Sequence, residues 1–187
     1  MAKLSLEVDH IFFSCRQKRQ VLSDSSAIIG AVKVVSLSST ILHLLNQCLL
    51  RRRILQTSLR GRQKTFHRLQ LNGEVYYSQN YRRVKKRNSY TVSYKNEELS
   101  ECFGQILFFV LVDSHTSLAV IRRFTVIEGG AMSHFRLSIP VQGIIPVVET
   151  ERNDVIFVEN IQQKCLCLDI SPSCKCVATF PNAIMCD

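Results

Sequence analysis

The stretch Phe66-His-Arg-Leu-Gln-Leu-Asn-Gly-Glu-Val-Tyr-Tyr-Ser78 decides the fold. Two strand-like runs, residues 66–71 and 74–78, flank Asn72-Gly73. A two-residue type I′ turn needs positive φ at both central positions, and Asn-Gly supplies it at low steric cost. The pattern predicts a β-hairpin. Further on, residues 88–94 alternate, with Tyr90, Val92 and Tyr94 on one face and Ser89, Thr91 and Ser93 on the other. That alternation reads as a half-buried strand. Residues 103–112 are almost continuously apolar, as expected of a central strand covered on both faces. Further short strands are predicted at residues 118–127, 135–139, 144–148, 155–161, 165–170 and 174–180, with turn signals between them. Regular short strands predict a mainly β fold, an antiparallel small barrel or sandwich.

Upstream the pattern changes. Val32, Val34, Val35 and Leu37 suggest a short extended piece. Ile41, Leu44, Leu45, Cys48 and Leu49 fall at helical spacing, with Ser38 or Ser39 placed to cap the helix. Arg51-Arg52-Arg53 then sits at its C-terminal end, where the helix dipole favours cations. The sequence therefore divides into residues 1–62, a leader with a short N-terminal helical appendage, and residues 63–187, the β-rich domain. Residues 27–50 come nearest to a membrane segment, but Lys33, His43 and Asn46 interrupt them, and no span and no membrane partner are expected.

The net charge of +9 is concentrated in one place. Residues 51–95 hold 13 Lys and Arg against the single acid Glu74, a local charge of +12, and the remainder of the chain carries −3. All five tyrosines lie in the same segment: Tyr76, Tyr77, Tyr81, Tyr90 and Tyr94. Cations neutralise phosphates and release counterions, and aromatic faces stack on unpaired bases. The candidate nucleic-acid contacts are Arg82, Arg83, Lys85, Lys86 and Arg87, with Tyr77 and Tyr81 as the better candidates for exposure among the tyrosines. Tyr90 and Tyr94 are better read as core, because they alternate with Val92. The run at residues 82–87 also has the form of a nuclear-import signal. A solvated face that only maintains solubility is the competing reading of such charge, and an acidic protein is an alternative partner.

The chain has eight cysteines. The N-terminus lacks a signal-peptide layout and no Asn-x-Ser/Thr sequon occurs, so a reducing compartment and free thiols are expected. Cys165, Cys167, Cys174 and Cys176 raise a zinc question. A hairpin centred between Ile170 and Ser171 places Cys167 opposite Cys174 and Cys165 opposite Cys176, all four on one face. Cysteines two apart on flat strands are too widely spread for one tetrahedral site, so small buried thiols are the favoured reading and neither metal nor cofactor is expected.

No catalytic pattern emerges. His10, His43, His67, His115 and His134 lack metal-ligand spacing. Asp113-Ser114-His115 contains triad residue types, but consecutive residues in a turn do not form a hydrogen-bonded relay. Gly129-Gly130 is a lone turn signal.

The stretches Phe66 to Ser78, Tyr81-Arg-Arg-Val-Lys-Lys-Arg-Asn-Ser-Tyr-Thr-Val92 and Phe103-Gly-Gln-Ile106, with Phe180-Pro-Asn182 and the final Asp187, resemble a family. It is the C-terminal β-rich domain of uncharacterised, transposon-derived, transposase-associated animal proteins. The resemblance runs from Thr65 to Asp187. In outline it is also similar to small barrels of the bromo-adjacent-homology type. It implies a domain that follows a transposase-like region and has no defined activity of its own. On this reading the chain is expected to depart from that arrangement, without a long catalytic region before the β-rich part. The expectation is a non-enzymatic, nuclear, nucleic-acid-associated module of transposon-derived type. A chromatin-reader-like protein-interaction module and a degenerate transposon fragment without selected function are the alternatives.

Overall fold

The computed structural model describes residues 19–54, 59–81, 90–127, 143–171 and 174–179. Among these residues the chain is mainly β, with twelve strands and one α-helix. The predicted hairpin is present: β5 (Arg68–Leu71) pairs with β6 (Glu74–Tyr77), and Asn72 and Gly73 have φ of 50° and 82°. It belongs to a four-stranded sheet ordered β1 (Arg19–Ser23), β2 (Ser26–Ile29), β5, β6. The larger sheet contains β3 (Lys33–Ser36), β4 (Arg62–Phe66), β7 (Thr91–Lys95) and β8 (Glu101–Leu111). Its remaining strands are β9 (Ser117–Val126), β10 (Ile144–Phe157), β11 (Ile161–Ser171) and β12 (Cys174–Thr179). Six of these close a ring in the order β8, β7, β11, β12, β10, β9 and back to β8. Strands on either side of residue 62 hydrogen-bond to one another: β2 pairs with β5, and β3 with β4.

Directly opposed residues of antiparallel strands share a face, so the register fixes what lines the ring. Thr91 opposes Gln105, which opposes Arg122; Ser93 opposes Phe103; Cys167 opposes Val177; Glu149 opposes Phe124. This inner face buries Phe103, Phe124, Val147, Cys165 and Val177. The outer face of β10 and β11 leaves Val148, Leu168 and Ile170 exposed. Elsewhere the outer face is covered, because Val92, Tyr94, Ile106 and Ile121 pack against Leu22, Ile28, Leu69 and Tyr76 of the small sheet.

The strand at Thr91–Lys95 is therefore not half-buried. Tyr94 and Val92 face the small sheet as the alternation requires, but Thr91 and Ser93 are also 0% exposed because they point into the ring. Serine and threonine signalled the ring's polar interior and not solvent. The two strands expected at residues 144–148 and 155–161 are one strand, β10, with a register break between Glu149 and Asn153. The strand expected at residues 135–139 lies outside the described residues.

Residues 27–50 form β2, β3 and most of α1 (Ser39–Arg51). No described helix is long and apolar enough to cross a membrane. Ser38 caps α1, its hydroxyl accepting the Ile41 N–H at 3.3 Å. Such a cap is worth about 1 kcal/mol. The helix buries Leu45, Cys48 and Leu49 against Val110, Leu118, Val120, Val155 and Phe157. These strand residues continue the face that lines the ring, so the helix covers the part that the ring leaves open.

Gly104 marks the tightest strand approach. A Cβ at this position meets the Arg122 backbone oxygen directly and lies 2.6 Å from Ile121 Cγ2. A rigid ladder has no cheap way to yield. We predict that Gly104→Ala lowers the urea midpoint, with a loss of about 1–3 kcal/mol. An unchanged midpoint contradicts the β8–β9 closure.

Candidate nucleic-acid interface

Arg82, Arg83, Lys85, Lys86 and Arg87 lie outside the described residues. The residues that flank them are described, and they are held at one place. Ile106 of β8 donates its N–H to the Tyr90 carbonyl at 2.8 Å and accepts the Gln79 N–H on its own carbonyl at 2.7 Å. The Asn80 amide donates to the Leu107 carbonyl at 3.3 Å. The geometry follows from β8, which pairs with β7 as far as Gln105 and with β4 from Phe109. Between these partners the peptide groups on that edge of β8 have no ladder, and buried peptide groups require partners. The chain on both sides of the basic run fills that gap.

Tyr77 and Tyr81 stand next to it. Tyr76 turns inward and is buried, so Tyr77 faces away from the core. The Tyr81 N–H closes a turn on the Ser78 carbonyl at 3.0 Å, and the two tyrosine rings meet with centroids 5.5 Å apart. The Arg68 guanidinium lies 5.2 Å from the Tyr81 ring centre. Gly30 makes room for it, since a Cβ there falls 2.6 Å from Arg68 Nη2. Both tyrosines are partly exposed, whereas Tyr76 and Tyr94 are buried. Part of each ring is taken up by the other and, for Tyr81, by Arg68.

The remaining tyrosines are structural to different degrees. Tyr94 is fully buried and donates to Asp154 Oδ2 at 2.8 Å. Burial and the neighbouring Asp154 carboxylate drive its phenol pKa far up. Tyr76 lies under the Lys164 ammonium, 5.1 Å from the ring centre, and Tyr90 is half-buried. The arginine triplet after α1 is also partly committed. Arg51 pairs with Glu97, while Arg52 pairs with Glu159 at 2.7 Å and lies 4.0 Å over the Phe157 ring. These contacts tie the helix end to the ring.

The four C-terminal cysteines do not share a face. Leu168 opposes Cys176, and Cys167 opposes Val177 and not Cys174, so the hairpin register differs by three residues from the expected one. A slip by an odd number of residues turns a strand over. Cys165 and Cys167 face into the ring, while Cys176 faces outward between Leu168 and Pro146. Among the described residues no three His, Cys, Asp or Glu side chains gather as a metal site. Burial pushes the Cys48 and Cys165 thiols up to about 11, which keeps them protonated and unreactive at neutral pH. Asp113 Oδ1 accepts the His115 and Thr116 backbone N–H groups at 2.8 and 2.7 Å, so its carboxylate shapes a turn and does not orient the imidazole.

Nothing in the sequence pointed to Ile106, Gln79 or Asn80, because the gap they fill arises from partner exchange along β8. Comparison with protein-family models, curated proteins and solved structures finds no match to this chain.

His67 ties this region to pH. Its Nδ1 lies 2.7 Å from Ser78 Oγ, and its carbonyl accepts the Ser78 N–H at 3.0 Å. Burial first, and then the Lys33 ammonium, hold its pKa below the ordinary histidine value. The folded state thus favours neutral His67. That stabilisation is complete above the unfolded pKa of about 6.5 and is lost as pH falls through the lower folded value. We predict a drop in denaturation midpoint between pH 7.5 and 5.5 that is smaller in His67→Gln. An equal drop in both proteins sets His67 aside.

Proposed function

We propose that this chain is a non-enzymatic, nucleic-acid-associated β-barrel module that binds polyanion through its basic, tyrosine-bearing segment and acts in the nucleus. One observation carries the reading: 13 cations against one acid in residues 51–95 of a chain whose remainder carries −3. Of these cations, Arg51 and Arg52 have structural partners in Glu97 and Glu159. The weight of the proposal therefore rests on Arg82, Arg83, Lys85, Lys86 and Arg87. The run is flanked by backbone held to Ile106 from both sides, which supports it as a presented element. Tyr77 and Tyr81 contribute a packed aromatic root with Arg68, and a smaller stacking surface than free side chains offer. A transposon-derived origin, as the resemblance implies, suits a module that keeps polyanion affinity without a reaction centre. An acidic protein in place of nucleic acid is the second reading, and the same charge favours it.

The test is a salt-titrated anisotropy assay with duplex DNA, single-stranded DNA and RNA of equal length, with polyglutamate as the acidic-protein probe. The variant replaces all five cations of the run with Gln. For duplex DNA each phosphate contact contributes about 0.9 to the salt slope, so complete engagement of the five cations predicts a slope shallower by about 4.5. Affinity at low salt falls at least tenfold. Salt-insensitive binding, or none, removes the nucleic-acid reading. Polyglutamate binding as tightly as nucleic acid moves the proposal to an acidic protein partner.

A further inference from the structure

The small sheet covers one part of the outer face of the large sheet and stops before another. Its last strand, β6, ends the cover at Lys164 of β11, whose ammonium lies 3.3 Å from Glu74 Oε2 and 5.1 Å from the Tyr76 ring centre. Val92, which opposes Lys164, is buried. Alternate residues of a strand share a face, so Leu166, Leu168 and Ile170 follow Lys164 on the same side. There the cover is gone: Leu168 is 45% and Ile170 46% exposed. The register carries this face across two more strands. Leu166 opposes Ala178, which opposes Ile144; Leu168 opposes Cys176, which opposes Pro146. Val148, two residues on in β10, extends the face and is exposed, as is Ile144.

None of these side chains is charged. The ionic residues of the same strands, Glu149, Asp169 and Lys175, belong to the opposite face, where Lys175 pairs with both acids. Strands about 4.8 Å apart, with same-face residues about 6.8 Å apart along each, give an apolar face roughly 15 Å across. Contiguous apolar patches of that order mark interaction sites on soluble proteins. The face also has a shape. Its middle strand, β12, contributes the small residues Cys176 and Ala178, and larger residues flank them on β10 and β11, which leaves a shallow trough between two ridges. Electrostatics narrows the occupant. The chain carries +9, so two copies repel wherever their cations meet, and a neutral face is where they approach without that cost. Nucleic acid or an acidic protein finds no cation in this face.

We propose that the outer face of β10, β12 and β11 is the contact between two copies of this chain, related by a two-fold axis, with the β11 ridge of each copy in the β12 trough of the other. A two-fold contact uses the same self-complementary patch on both partners and is the commonest arrangement among soluble oligomers. Thr125, which opposes Val148, and Ser171 at the end of β11 are exposed and supply a hydroxyl rim. An apolar centre with a polar rim is the usual anatomy of an interface. The patch is smaller than the roughly 800 Å² per partner of a standard interface, so the association is weak, with a Kd of about 1–100 µM. The inference does not rest on the polyanion reading. A dimer does carry two basic runs, so a polyanion held by one run meets the second at high effective concentration.

Sedimentation equilibrium of the full chain, freed of nucleic acid, over about 1–200 µM tests the contact. The mass should rise from one chain to two. Added salt should tighten the association, because it screens repulsion between two positive chains, whereas it loosens polyanion binding. Leu168→Asp and Ile170→Glu should each weaken the dimer roughly tenfold or more. Both positions are solvent-exposed, so the variants retain the fold, which circular dichroism verifies. Leu99→Asp, at a leucine that is 75% exposed in the turn between β7 and β8, should dimerise as the unaltered chain does. So should the variant neutralised at residues 82, 83, 85, 86 and 87. A single-chain mass throughout overturns the proposal, and it is the result expected if another segment of the chain or a different protein covers the face. Masses that climb past two chains overturn it too, as does association that weakens with salt. Unchanged association in either face variant, or its loss in Leu99→Asp or in the neutralised variant, also overturns it.

Discussion

The peptide group of Ile106 sits where β8 exchanges one partner for another, and the arrangement of the molecule depends on how that group is satisfied. Before it, β8 hydrogen-bonds to β7; after it, to β4. The gap cannot stay empty, because a buried N–H and C=O without partners cost too much. Tyr90 and Gln79 fill it. The chain between β4 and β7 therefore leaves the large sheet, builds the β5–β6 hairpin, and returns to the same edge of β8. In sequence the basic run falls between these two flanks. Its flanks are fixed by a requirement of the fold, and the small sheet that the excursion helps to build is what covers the outer face of β7.

That covering explains why one sheet buries both of its faces in places. The ring encloses Phe103, Phe124, Val147 and Val177, while the small sheet closes over Val92, Tyr94, Ile106 and Ile121. Charge then sorts by location. Arg52 meets Glu159, Arg122 meets Glu149, and Lys175 meets both Glu149 and Asp169. Surface pairs of this type contribute at most about 1 kcal/mol each. Their main effect is electrostatic, since they cancel cations around the ring. The excess is left in the segment whose sequence has almost no acids.

Local chemistry made much of this legible in the sequence. Asn72-Gly73 specified its turn, Ser38 its cap, and the apolar run of β8 its burial on two faces. What local pattern cannot carry is the identity of the second surface. Thr91 and Ser93 read as solvent-facing because small polar residues usually are, yet the interior of a closed ring accepts them. The cysteine hairpin takes a different register because its turn has no fixing signature, and an odd slip of three residues sends Cys165 and Cys176 to opposite faces. The strands β1 and β2 escaped notice although Asp24-Ser25 separates Gln20-Val21-Leu22 from Ala27-Ile28-Ile29, a two-residue turn between apolar runs. The basic run is visible as composition.

Hydrogen exchange measured along the chain, with and without a saturating oligonucleotide at low salt, tests the central claim most directly. That claim is that the molecule presents its basic run from a root fixed at Ile106. The account predicts slowed exchange from Gln79 through Tyr90 on binding, with α1 and the turn after β10 unchanged. Protection centred on α1 or on the β11–β12 hairpin, with residues 79–90 unaffected, contradicts it.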